Sequence, residues 1–183
     1  MQMVGMGECK IFRGEGDHLV ALGLGSCIGL CAFDPVNMVG GMVHVVLPES
    51  HGAQDFPGKY ADSAVKFLIE KMSGLGADSK KINFAMAGGA QLFKGSDNGK
   101  MLNVGPRNAE AVLAMLASLR ITPAAVDVGG VCGRTVTLTD NGDMRVKTLG
   151  KDDKVLINLK TCNILTMVQY KQTMDSSQLK RAA

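Results

Sequence analysis

Aromatic side chains are scarce in this 183-residue chain: tryptophan is absent, and phenylalanine and tyrosine together make up 4%. That shortage argues against stacking on bases as a main activity, and the core has to be aliphatic, filled out by 12 methionines. Strong charge of either sign is also missing. The 20 basic residues exceed the 17 acidic ones by only three and are scattered, which argues against a nucleic-acid partner. No run of about 18 apolar residues occurs, so no membrane insertion is expected. The opening MQMVGMGECK has neither the basic nor the apolar part of a signal segment, and a cytoplasmic location is expected. The five cysteines (Cys9, Cys27, Cys31, Cys132 and Cys162) form no Cys-x-x-Cys pair, and His18, His44 and His51 stand at no zinc-type spacing. Gly23-x-Gly25 lacks the further glycine of a dinucleotide fingerprint. No metal and no cofactor are expected.

What is present is an ordinary globular composition, 46% hydrophobic and 20% charged, with 23 glycines. One domain over 1–170 is expected, with a polar, flexible tail over 171–183. Apolar runs with strand character fall at 3–12, 19–24, 28–33, 38–47, 82–87, 124–128 and 154–159. Residues 134–139 and 144–149 alternate around Asn141-Gly142, a hairpin turn signal. Ala61, Ala64, Val65, Leu68, Met72 and Leu75 recur at helical spacing and predict a helix over 60–75. Gly105-Pro106 opens a second helix through Arg120, with Pro106 suited to its first position and an apolar face of Ala109, Val112, Leu113, Leu116 and Leu119. The expected fold class is α+β, a mixed α/β sandwich whose sheets are covered by two to three helices.

Chemistry concentrates in residues 21–48, ALGLGSCIGLCAFDPVNMVGGMVHVVLP. A lone cysteine is usually a small buried hydrophobe, and a lone histidine on an apolar strand is usually a satisfied core residue. Here Gly23 and Gly25 leave the backbone before Cys27 bare, so that amides at Gly25 and Ser26 can approach a substrate oxyanion. A free thiol is mostly protonated at neutral pH and needs a base beside it. The turn Asp34-Pro35-Val36-Asn37 would fold the run holding His44 back against the run after Cys27, making a Cys–His pair of nucleophile and base. Cys31, four residues on, is expected to pack on the same strand. The Gly-Gly pairs at 40–41, 88–89 and 129–130 are expected to mark turns, bulges or close packing.

The segments Leu22-Gly23-Leu24-Gly25-Ser26-Cys27, Gly40-Gly41-Met42-Val43-His44 with Leu47-Pro48, and Gly58-Lys59-Tyr60-Ala61-Asp62 stand in one order. They are followed by Ala87-Gly88-Gly89-Ala90, Asn103-Val104-Gly105-Pro106-Arg107-Asn108, and Gly129-Gly130 with Gly133-Arg134. Together they resemble the CheD family of chemoreceptor glutamine deamidases, over roughly residues 5–150. The resemblance implies a Cys–His deamidase-like fold, with Cys27 attacking a glutamine carboxamide and His44 handling the proton. It implies two partners: the cytoplasmic helices of methyl-accepting chemoreceptors, and a CheC-type phosphatase of the response regulator CheY. Loops 49–58 and 94–103 are the expected rim for a helical partner. One position departs from the family: its third catalytic position, a threonine six residues before the cysteine, is Ala21 here. Either another group, a backbone carbonyl or a nearby side chain, then holds His44, or turnover is weak. Two rivals stay open, an adaptor that binds receptors and a CheC-type partner without much chemistry, and a cysteine hydrolase of small amides or esters.

Overall fold

Two sheets of five strands each, one lying on the other, are covered on one side by two α-helices in a computed structural model that describes residues 1–53, 55–91 and 103–162. The expected tail 171–183 and residues 94–102 of the expected rim lie outside the described residues. In chain order the elements are β1 (Gln2–Met3), β2 (Cys9–Arg13), β3 (Leu19–Leu24), β4 (Ile28–Asp34) and β5 (Val39–Val45). A 3-10 turn (Pro57–Lys59) leads into α1 (Ala61–Gly74), then β6 (Asn83–Gly88), α2 (Val104–Ser118) and β7 (Ala125–Val128). The chain closes with β8 (Arg134–Leu138), β9 (Asp143–Thr148) and β10 (Asp153–Asn158). One sheet has the order β1-β3-β8-β9-β10 and the other β2-β5-β4-β6-β7. The architecture is the α+β sandwich that the patterning predicts.

Strand alternation decides which core each side chain joins. On β4, Cys31 and Phe33 face the other sheet and pack with Leu19, Leu24, Val136 and Leu138. Ile28, Leu30 and Ala32 face the helices and meet Val65, Leu68, Met72, Val112 and Leu116. β4 and β5 are buried along their whole length, and apart from Asp34 and His44 both faces of each strand are apolar. Burying each large aliphatic side chain contributes about 1.5–3 kcal/mol, and this central hairpin takes part in both cores. Cys31 is fully buried and packs as expected, and burial pushes its thiol pKa up.

The hairpin's register is pinned by Asp34. Its carboxylate accepts from the Val36 and Asn37 amides at 2.9 and 3.2 Å, from the Asn37 side chain at 2.8 Å, and from the Asp78 amide at 2.7 Å. A slip of one residue would break this knot and reverse every facing along β5.

Two expectations need correction. The first apolar run, 3–12, is two strands in different sheets, because the chain turns at Gly5–Glu8: Gly7 has φ +75°, and the Glu8 side chain takes the Gly5 amide at 2.9 Å. The second helix begins at Val104, so Pro106 is its third residue. The first amides of a helix have no partner inside it, so proline costs no hydrogen bond there. Among the described residues no helix is long and apolar enough to cross a membrane.

Candidate active site

In the antiparallel register of β4 and β5, Gly29 lies opposite His44 and Ile28 opposite Val45. Cys27 lies in the bend at residues 25–27, immediately before β4. It packs against the core between the sheets. Cys27 thus stands at the start of β4 and His44 on β5, the strand paired with it.

His44 is only 4% exposed. Its Nδ1 lies 3.1 Å from the carbonyl oxygen of Val4. A carbonyl only accepts, so the ring proton sits on Nδ1 and the lone pair on Nε2. Nε2 is buried and has no hydrogen-bond partner among the described residues. Burial holds the His44 pKa below the ordinary histidine value, and the Val4 carbonyl and the Glu8 carboxylate offset part of that effect. The backbone of His44 is clasped as well: its amide donates to Glu8 O at 3.0 Å and its carbonyl accepts from Gly7 N at 2.9 Å. The turn at 5–8 that divides β1 from β2 is what brings Val4 over the imidazole.

Ala21, the position where the resemblance has threonine, is fully buried on β3 opposite Val136. The neighbouring Val20 carbonyl accepts from Val4 N at 2.8 Å, which fixes the strand that supplies the Val4 carbonyl. A main-chain oxygen therefore holds His44.

Cys27 is a half-buried free thiol, and burial pushes its pKa up. Burial thus disfavours the charged form of each group, the Cys27 thiolate and the His44 imidazolium. The loop before Cys27 is anchored through three consecutive carbonyls. Gly25 O accepts from Ala90 N at 2.7 Å and Cys27 O from Gly89 N at 2.8 Å. Between them, Ser26 O accepts from Asn108 Nδ2 at 2.9 Å. The amides of Gly25, Ser26 and Cys27 donate to no protein group among the described residues.

These anchors depend on close approach. At Gly88 (φ +128°) a Cβ would overlap the Cys27 carbonyl oxygen, and at Gly105 a Cβ would run into the carbonyls of Gly89 and Ala90. Arg134, 8% exposed and in register with Leu24, donates to Gly129 O at 2.8 Å and pairs with Asp127 at 3.1 Å, fastening the 129–130 turn. A cavity of about 360 Å³ has Asp127, Arg134, Lys151 and Lys154 in its wall but neither Cys27 nor His44.

Three contributors were not recognisable as site residues from residue type: the Val4 carbonyl, Arg134 and Asn108. Asn108 and Arg134 stand in segments that carry the family resemblance, and Asn108 is also a polar residue at the spacing of the apolar face of α2 that includes Val112 and Leu116.

Comparison with known proteins places this arrangement in context. A model for CheD chemotactic sensory transduction proteins matches residues 46–148, more than half of the chain, beginning just past His44. A chemoreceptor glutamine deamidase CheD of Thermotoga maritima is 40% identical over 157 residues, covering 85% of this chain and 97% of its own. A probable chemoreceptor glutamine deamidase CheD of Desulfitobacterium hafniense is 41% identical over 155 residues, 84% of this chain and 96% of its own. One from Archaeoglobus fulgidus is 44% identical over 146 residues, 79% and 91% respectively.

Proposed function

The chain belongs to the CheD family, and from that membership we propose that it converts glutamine side chains of chemoreceptors to glutamate, with Cys27 as nucleophile and His44 as base. The observation that carries the residue assignment is the setting of His44: with Nδ1–H given to Val4 O, the buried Nε2 has a lone pair and no hydrogen-bond partner among the described residues. In the first step Nε2 takes the proton of the Cys27 thiol as sulfur bonds to the carboxamide carbon. The free amides of the 25–27 loop stabilise the oxygen that becomes negative. The C–N bond then breaks, and the imidazolium gives its proton to the departing ammonia, leaving a thioester. Water attacks the thioester carbon and loses its proton to Nε2. The C–S bond breaks, the sulfur recovers that proton, and glutamate is released. Each conversion adds a carboxylate to a receptor helix and changes the charge pairing along its surface.

The test is the intact mass of a chemoreceptor cytoplasmic fragment incubated with the protein. A gain of about one dalton per modified site, the change from amide to acid, is expected. Binding of the fragment with no gain would instead favour the adaptor that Ala21 suggests, and turnover of free small amides without the receptor would favour a general cysteine hydrolase.

The pH dependence follows from the effect of burial on both groups. The base works only when His44 is unprotonated, and its pKa is lowered, so kcat/KM is expected to rise through a midpoint below about 6.5 and to be flat at neutral pH. The thiol pKa is raised, so the fall caused by losing the shuttled proton comes only above about 8.5. A rising limb centred above pH 7 would contradict this pair.

A further inference from the structure

We propose that Asn108 is a positioning residue for the Cys27–His44 pair, tying the loop that carries the nucleophile to the strand that carries the base. The proposal rests on the reading of that pair as nucleophile and base. Asn108 lies in the second turn of α2, and its side chain is fully buried. Both protons of its amide are used: one goes to Ser26 O at 2.9 Å, the other to Val46 O at 2.8 Å. Ser26 immediately precedes Cys27, and Val46 lies two residues past His44.

The two donated bonds are the feature that distinguishes this residue from packing. Its Oδ1 is buried and has no partner among the described residues. An orphaned buried oxygen is a cost that leucine, of similar size, would not carry. What leucine could not do is hold two carbonyls that belong to different segments.

Peptide planarity shows what is held. In a trans peptide the C=O and the following N–H point in opposite directions. Gly25 O is drawn toward Ala90 and Ser26 O toward Asn108, so the amides of Ser26 and Cys27 are turned the other way. Those are two of the loop amides that donate to no protein group. Two of the loop's three anchors come from main-chain amides, and the middle one comes from Asn108 alone. α2 is itself seated on Gly89 and Ala90 at Gly105, so helix and loop are held as one unit. Without Asn108 the 26–27 peptide loses its outer bond, and both the Cys27 amide and the thiol lose their fixed direction.

The experiment compares Asn108→Leu with Asp34→Asn, which loosens the turn knot at the opposite end of β4. Melting temperature, kcat, KM and the pH profile of Cys27 alkylation by iodoacetamide are measured on each. Folded Asn108→Leu is expected to lose about 100-fold in kcat with KM changed less than about threefold, as a misplacement near 1 Å does. Asp34→Asn is expected to lower the melting temperature while leaving kcat within about twofold, since it touches nothing at the site. Folded Asn108→Leu with kcat within about threefold of wild type, or Asp34→Asn falling in parallel, would overturn the proposal. Should the leucine variant not fold, Asn108→Ala is judged by the same criteria. An inactive wild type would defeat the deamidase reading alone. Alkylation then decides the present one: in the Asn108 variant Cys27 should lose the inflection due to His44, and its retention would overturn the proposal.

Discussion

Cys27→Ala is expected to form no glutamate at all, and His44→Gln to lose about 10³-fold in kcat with KM little changed. Alanine at 27 removes the atom that bonds to carbon, and no other cysteine shares the position: Cys31 is four residues further along the chain and fully buried. Glutamine is the sharper test at 44. Its amide N–H can still serve the Val4 carbonyl, so the clasp at residues 5–8 is not stripped of its partner. What it lacks is a basic lone pair at Nε2. The thiol of Cys27, with its pKa pushed up by burial, then stays protonated at neutral pH. Because the thiolate can attack without a base, part of the loss in His44→Gln should return as pH rises through the thiol pKa, while Cys27→Ala stays dead at every pH. Kinetics at several pH values on the receptor fragment measure both. A His44→Gln variant within tenfold of wild type at pH 7 would mean that the proton goes elsewhere, and the assignment of His44 as base would fall.

Cys27 and His44 could be linked from the sequence because they flank one hairpin. Gly29 and His44 are joined by a short turn with an obvious signal at Asp34-Pro35, which sets them opposite one another, and Cys27 stands two residues before Gly29. The strand pair 134–139 and 144–149 was legible for the same reason, and so were both helices from their apolar stripes. What holds the pair in place was not legible. Val4 acts through its carbonyl, which every residue type carries, and it reaches His44 only because the chain breaks at Gly5–Glu8 between two sheets. Asn108 lies 82 residues from Ser26, and a spacing of that size has no local pattern. Ala21 shows the limit from the other side: residue type said that it could not orient an imidazole, but only the packing of β1 on β3 shows which oxygen takes the part.

The glycines at 88–89 sit where these long-range contacts converge, and they give the other large expected effect. Gly88→Ala is expected to cost about 3–5 kcal/mol of folding stability, the sum of a strained left-handed backbone and overpacking. Gly88 lies opposite Ile28 in the ladder with φ +128°, and an added Cβ would overlap Cys27 O while pressing on Cys27 C and Ile28 Cα at 3.2 Å. All three are backbone atoms at the start of the most buried strand, so no flexible side chain can give way. Relief has to come from moving the Cys27 peptide, which breaks its bond from Gly89 N and turns the nucleophile loop. Gly129→Ala supplies the comparison. Its φ is +84°, but nothing lies within 4 Å of an added Cβ, so only backbone strain of about 1–2 kcal/mol is expected. Chemical denaturation of the two variants separates close approach from backbone conformation, and equal losses would show that the contact with Cys27 O contributes nothing. Whatever fraction of Gly88→Ala remains folded at low temperature is expected to be inactive if Cys27 is the nucleophile, because the strain is released through the Cys27 carbonyl.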